Sequence, residues 1–293
     1  MDNKAEVREF LMTRRARVSP EAAGMASGSN RRVAGLRRSE VAMLAGVSVE
    51  YYAKLERGAI AGASASVLDA VARALQLDDT ERAHLLDLAR AADGIPTSGR
   101  PRRRAAKPGP PRPSLEWALS AITDGVAVVR NPRQEIVAVN ELGRAFYSPV
   151  IGDGAHSSGG RTPNLARFQF LDPAAHDFYP DWELFARMCV GIMRAEAGRD
   201  PHDKGLQDLV GELSTQSETF RTLWAAHDVR THGAGTKRFT HPVVGELTLA
   251  YEELALTAEP GNVMLIYTAE PGSPSAERLR LLASWAATRA AVS

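Results

Sequence analysis

SEVAMLAGVSVEYYAKLERG, residues 39–58, sets two short amphipathic segments on either side of a glycine. At helical spacing Val41 and Leu44 point inward from the first segment, and Ala42 is small where two helices must approach closely. Gly46 stands where a tight turn asks for a positive φ, and Val47 plugs the core beneath that turn. Ser48 is an N-cap for the second segment, which Tyr52 and Leu55 anchor from one face. Val49, Glu50, Tyr51, Ala53, Lys54 and Arg57 then face outward. Helical hairpins of this size are common in bundles, so the flanks must decide what this one is for.

The flanks are basic. The net charge of +1 divides into 20 Lys+Arg against 13 Asp+Glu in residues 1–112, and 16 against 22 in residues 113–293. A basic first part joined to an acidic second part directs only the first toward a polyanion. The spacing Ala42-x3-Gly46-Val47-Ser48-x3-Tyr52-x3-Glu56-x-Gly58 resembles the phage-repressor-like (XRE) helix-turn-helix family. That resemblance implies a first helix across the DNA backbone and a second in the major groove. Glu50 is placed to accept from a cytosine amine, and Tyr51 to touch a thymine methyl or a phosphate. Arg31, Arg32, Arg37 and Arg38 precede the first helix and are expected at phosphates. The candidate DNA-binding set is therefore Arg31, Arg32, Arg37, Arg38, Ser48, Val49, Glu50, Tyr51, Lys54 and Arg57, with a double-stranded operator as partner.

Around this stretch residues 1–92 read as about five short helices without a strand signal, an all-α helix-turn-helix domain. Residues 93–113, DGIPTSGRPRRRAAKPGPPRP, hold six prolines and a basic run with almost nothing apolar to bury, a linker. Residues 114–293 change period. A helix over SLEWALSAI precedes two β-branched runs, Val126 to Val129 and Ile136 to Val139, joined by the turn NPRQ. Helices follow, then three strands from KRFTHPVVGELTLAYEELALT and GNVMLIYTAE, and an apolar C-terminal helix. The expected fold is α+β: about five antiparallel strands with helices on one face.

Catalytic chemistry has no signature here. GDGAHSSGG (152–160) has glycines but neither a preceding strand nor the lysine of a phosphate loop. His227 and His232 are poorly spaced for one helix face and lack companion ligands, so no metal and no cofactor is expected. Cys189, the single cysteine, lies in the apolar run FARMCVGIM and reads as a buried thiol. No run of about 18 apolar residues and no signal-peptide core occurs, so a cytoplasmic, nucleoid-associated protein is expected rather than a membrane one.

DGVAVVRNPRQEIVAVNELGRAFY resembles the opening of a PAS-type sensor domain, with Asn140 starting the helix after the second strand. Over nearly its whole length the chain resembles the MmyB-like regulators, carried by GLRRSEVAMLAGVSVEYYAKLERG, FLDPAAHDFYPDWE, FRTLWAAHDVRTHGAGTKRFTHPVVGELTLAYEEL and IYTAEPGSPSAERLRLLASW. It departs from them at Val139, where the family carries Trp, and around Ala166 and Gln169. The resemblance implies a C-terminal PAS-like domain that binds a fatty-acid-like molecule, often beside a target gene for a short-chain dehydrogenase. Aromatic residues that could line such a site recur: Phe146, Phe168, Phe170, Phe178, Trp182, Phe185 and Trp224. A carboxylate head group would need a charged or polar partner, for which Arg167, His227, Arg230 and Asn140 are candidates. A homodimer is expected, since one helix-turn-helix binds weakly and two fix a half-site spacing. Two alternatives stay open: a constitutive DNA binder whose second domain only dimerises, and an acyl-binding enzyme with a DNA-binding tether.

Overall fold

Short polar side chains start most helices of the first ninety residues. In the computed structural model Asp2 caps α1 (Asn3–Arg17), Ser48 caps α3 (Val49–Glu56), Ser64 caps α4 (Ala65–Ala74) and Asp78 caps α5 (Asp79–Ala92). Each accepts a hydrogen bond from a backbone N–H of the first turn, satisfying a donor the helix cannot. Helix α2 (Arg38–Ala45) begins differently: the Arg37 N–H donates to the Glu40 carboxylate at 2.6 Å. The structure describes residues 2–25, 33–94, 111–152, 162–227 and 234–292, with residues 290–292 described by backbone alone. Arg31, Arg32, Arg230 and most of the 93–113 linker lie outside that set.

The chain divides into two compact units. The described part of the first is 2–25, 33–94, 190–208 and 222–227; that of the second is 111–152, 162–189, 209–221 and 234–292. The core of the first unit gathers Val7, Phe10 and Leu11 from α1, Val41, Ala42 and Ala45 from α2, and Tyr52 and Leu55 from α3. Leu68 and Val71 from α4 and Leu85 and Leu88 from α5 complete it. Leu44 is not among them. It is 39% exposed, because Val41 and Ala45 on one helical face already fill the contact.

The second unit opens with α6 (Pro113–Ser120), followed by β1 (Val126–Arg130) and β2 (Ile136–Val139). Asn131 and a left-handed Gln134 make the turn between the strands. After α7 (Glu141–Phe146) come α8 (Ser148–Ile151), α9 (Leu165–Leu171), α10 (Ala174–Phe178) and α11 (Trp182–Arg199). Then follow α12 (Lys204–Gln216), α13 (Glu218–Ala225), β3 (Ala234–His241), β4 (Gly245–Ala255), β5 (Val263–Thr268) and α14 (Pro274–Val292). The five strands form one antiparallel sheet in the order β2-β1-β5-β4-β3, the α+β arrangement expected.

Alternation assigns the two faces. Val126 and Val128 pair across the sheet with Tyr267 and Leu265, and Tyr251 pairs with Tyr267, so these share the inner face. Phe239, Leu247 and Leu249 extend it, and Phe146, Phe178 and Leu282 cover it from the helices. Ala127, Val129, Ala138 and Met264 show on the other face, where Leu115 and Leu119 of α6 cover them. One helix thus sits on the face expected to be bare, and all five residues of β1 are buried in consequence. Among the described residues no helix is long and apolar enough to cross a membrane.

Candidate nucleic-acid interface and ligand site

Gly46 adopts φ 66° and its N–H closes the end of α2, so the turn before α3 is made by the one residue type that tolerates that conformation cheaply. The Ser48 hydroxyl oxygen then accepts from the Tyr51 N–H at 3.0 Å and starts α3. Tyr52 and Leu55 lock that helix into the core, and Val47 and Tyr51 are half-buried against it. Val49, Glu50, Lys54 and Arg57 stand exposed along α3, with Met43 and Leu44 beside them on α2. An exposed stripe of this kind offers an acceptor, two cations and an apolar contact, the set with which major-groove edges and phosphates are read.

A buried carboxylate fixes the pitch of that stripe. Glu56 closes α3 and is 1% exposed. It accepts from Arg15 of α1 at 3.0 and 2.8 Å, and Arg38 at the start of α2 lies 3.3 Å from it. Arg15 also donates to the Leu36 carbonyl at 2.9 Å. Three helices therefore meet on one carboxylate. Arg38 is 52% exposed, so it holds Glu56 with part of its guanidinium and faces solvent with the rest. Gly58, with φ 91°, lets the chain pass α1: a Cβ there would stand 2.3 Å from the Lys4 carbonyl oxygen.

Within the second unit the inner sheet face is walled by aromatic rings. Phe146 is fully buried and meets Phe178 and Phe239 edge-on at 5.5 and 4.9 Å. Phe185 stacks on Tyr179 at 4.3 Å and approaches Phe239. Phe168 touches Phe178, while Phe170 packs on Trp182 and Phe220 further along the helical layer. The Trp182 indole donates to the Gln169 carbonyl and stacks on His176. His241 is enclosed: its Nδ1 accepts from Val243, which leaves Nε2 to donate to the Ala145 carbonyl.

The polar candidates are placed as follows. Asn140 caps α7 by accepting from Gly143, accepts from Ala127, and donates to the carbonyls of Ile122 and Gly125. Both lone pairs of its amide oxygen and both of its N–H donors are thereby engaged by backbone. The Arg167 guanidinium forks onto Glu212 at 2.8 to 3.2 Å. Trp224 and His227 belong to the first unit. There Arg194 lies over the Trp224 ring at 4.2 Å, pairs with Glu6 of α1 and meets His227 Nδ1 at 2.9 Å. Burial alone would raise the Glu6 carboxyl; hydrogen bonding to His227 and the charge of Arg194 hold it down at about 2.

Two groups on the inner face were not expected. Arg130 on β1 is buried and ion-paired with Glu253 on β4 at 3.0 Å. Lys237 on β3 lies with its ammonium 4.1 Å from the centre of the Tyr251 ring and 5.4 Å from those of Phe185 and Tyr267. Alternation along TKRFTH, with Lys237, Phe239 and His241 two apart, was the available signal. Cys189 of α11 is near enough to act on Lys237 electrostatically, and burial pushes its thiol up to about 12, so it stays protonated. A separate groove of about 560 Å³ runs along edge strand β2, lined among others by Leu119, Ile136, Val139, Asn140, Arg144 and Ile151.

A capped helix-turn-helix with an exposed, partly basic second helix, carried by a chain whose other unit is a helix-covered antiparallel sheet, is the arrangement of a DNA-binding regulator with a separate second domain. Residues 9–85 match the model of a helix-turn-helix domain. Residues 111–282 match that of the MmyB-like transcription regulator ligand binding domain, and the chain belongs to the MmyB-like transcription regulators. No curated protein matched the chain. It is a DNA-binding transcription regulator with a ligand-binding domain.

Proposed function

We propose that this regulator is a homodimer that senses a small apolar, fatty-acid-like molecule through the inner face of its sheet. The observation that carries the proposal is the wall formed by Phe146, Phe178, Phe185, Phe239, Tyr251 and Tyr267, apolar surface gathered behind one helical layer. Ligand sites are largely apolar, with a few placed polar groups that set orientation. Two chains would set two α3 helices on a pseudo-palindrome, and the ligand would shift the dimer between DNA-competent and incompetent arrangements. It does so only as far as it binds one arrangement better.

Native mass spectrometry of the purified full chain tests this, with and without a fragment of the DNA upstream of its own reading frame. The expected result is two chains per DNA, and a small apolar adduct whose occupancy changes when DNA binds. Two chains on DNA with no adduct, and no change on adding medium-chain fatty acids, would make the second domain a dimerisation module. Recovery of a chemically altered adduct would favour an acyl-processing enzyme.

A further inference from the structure

Lys237 is a cation on an apolar face without a counter-charge of its own. Arg130 on the same face is spent on Glu253 at 3.0 Å, and Arg167 in the helical layer is spent on Glu212 at 2.8 Å. Among the described residues Lys237 has no carboxylate within ion-pairing distance; its polar neighbour is the Tyr267 hydroxyl at 3.5 Å. That hydroxyl accepts from Tyr147 at 3.2 Å, which leaves its own hydrogen to donate elsewhere.

The burial of β3 has a direction. On the inner face Gly235 is exposed, Lys237 is half-buried, and Phe239 and His241 are fully enclosed. Lys237 thus stands at the rim and the aromatic wall lies behind it. Gly235 has no side chain to fill the space next to Tyr251, whose ring would meet a Cβ there at 3.1 Å. A molecule entering from this end would meet an ammonium and a phenol first and apolar surface afterwards.

We propose that Lys237 is the head-group anchor of the ligand site, selecting a molecule with an apolar chain and a single terminal carboxylate, with Tyr267 as second donor. This rests on the fatty-acid-like ligand proposed above and adds the residues that hold its head group. An ammonium held against rings gains from a carboxylate what water no longer supplies, and a charge-assisted hydrogen bond in such a place is among the strong ones. Burial pulls Lys237 down to about 7, and Arg130 lowers it further, against the opposing influence of Glu253 and Cys189. Tyr251 and Tyr267 face it from β4 and β5, and burial keeps both phenols protonated. A bound carboxylate would restore the charged form, so binding above about pH 7 would take up a proton and weaken as pH rises.

The test is calorimetric titration of dodecanoate and of dodecan-1-ol into the wild-type chain and Lys237→Met. At pH 6.5 the wild type should prefer dodecanoate by roughly tenfold to a hundredfold, the range for a hydrogen bond to a charged group. Lys237→Met should lose that preference and bind dodecanoate no better than dodecan-1-ol, whose continued binding reports that the site is intact. At pH 8, titration of wild type in buffers of different ionisation enthalpy should show uptake approaching one proton with dodecanoate and none with dodecan-1-ol. That readout does not depend on the variant folding. Undiminished preference in Lys237→Met, or dodecanoate binding without proton uptake, would overturn the anchor and leave the apolar ligand standing. If neither compound binds wild type, the apolar ligand and its anchor fall together.

Discussion

Replacing Glu56 by Leu tests whether α3 is held by one buried carboxylate. The substitution removes the acceptor of two Arg15 hydrogen bonds at 3.0 and 2.8 Å and the partner of Arg38 at 3.3 Å. Breaking a fully buried pair costs about 3–5 kcal/mol, since it strands a charge. The Arg15 side chain is 17% exposed and that of Arg38 52%, so water recovers part of that loss. The expected cost is about 2–3 kcal/mol, which for a domain of this size lowers Tm by roughly 10–20 °C. Arg38→Ala should cost less than about 1 kcal/mol, as a half-exposed pair does. The decisive comparison is the double variant Arg15→Met with Glu56→Leu. With no guanidinium left to strand, it should be more stable than Glu56→Leu alone. Urea denaturation of the wild type, Arg15→Met, Glu56→Leu and the double variant measures the cycle, and fluorescence anisotropy with operator DNA reports whether DNA binding survives. Costs that simply add, or a Glu56→Leu loss below about 0.5 kcal/mol, would show that the contact is incidental.

Three further outcomes follow from the same structure. Gly58→Ala should cost about 3 kcal/mol or more, because φ is 91° and the new Cβ meets the Lys4 carbonyl. Gly46→Ala, at φ 66° with open space around it, should cost about 1–2 kcal/mol; equal losses in urea would refute the close approach. Lys54→Gln and Arg57→Gln should each reduce the slope of log affinity against log salt by about one, and an unchanged slope would remove them from the phosphate contacts. His84 is enclosed, with neither ring nitrogen partnered among the described residues, and burial holds it down at about 3. The unfolded chain protonates this histidine near pH 6.5, so stability is full above that value and falls as pH drops toward 3. The slope is about 1.4 kcal/mol per unit. From pH 7 to 5 the wild type should lose about 2 kcal/mol that His84→Leu does not lose; equal losses in both would refute this assignment. Glu6, held at about 2, adds to the loss only below about pH 4.5, its ordinary range.

Residues 39–58 were legible because everything that defines their fold is local. A turn glycine, a capping serine and a Tyr–Leu pair at i and i+3 state their own geometry, and the caps and φ values agree with them. Leu44 was misplaced because periodicity gives a stripe but not its width, and Val41 with Ala45 left no room for it. The same holds for α6, whose Leu115 and Leu119 cover the second face of the sheet. An amphipathic helix announces that it will bury one side without naming the surface.

Charged residues resist local inference most, because their role depends on where distant partners land. Arg167 and Lys237 look alike in sequence, each a cation beside phenylalanines. Glu212, 45 residues on, closes the first, while no carboxylate among the described residues reaches the second. Arg194 sits in an apolar run like that of Cys189, yet meets Glu6 from 188 residues away. A strand pattern shows which face Lys237 occupies; only the fold shows that burial along β3 falls off toward Gly235 and that Arg130 on the same face is already paired with Glu253. A search for ligand anchors in such domains is therefore better directed at cations left over after buried pairs are assigned than at cations near aromatic residues. By that criterion Lys237 ranks above Arg167, and the calorimetric comparison of dodecanoate with dodecan-1-ol decides whether the criterion holds.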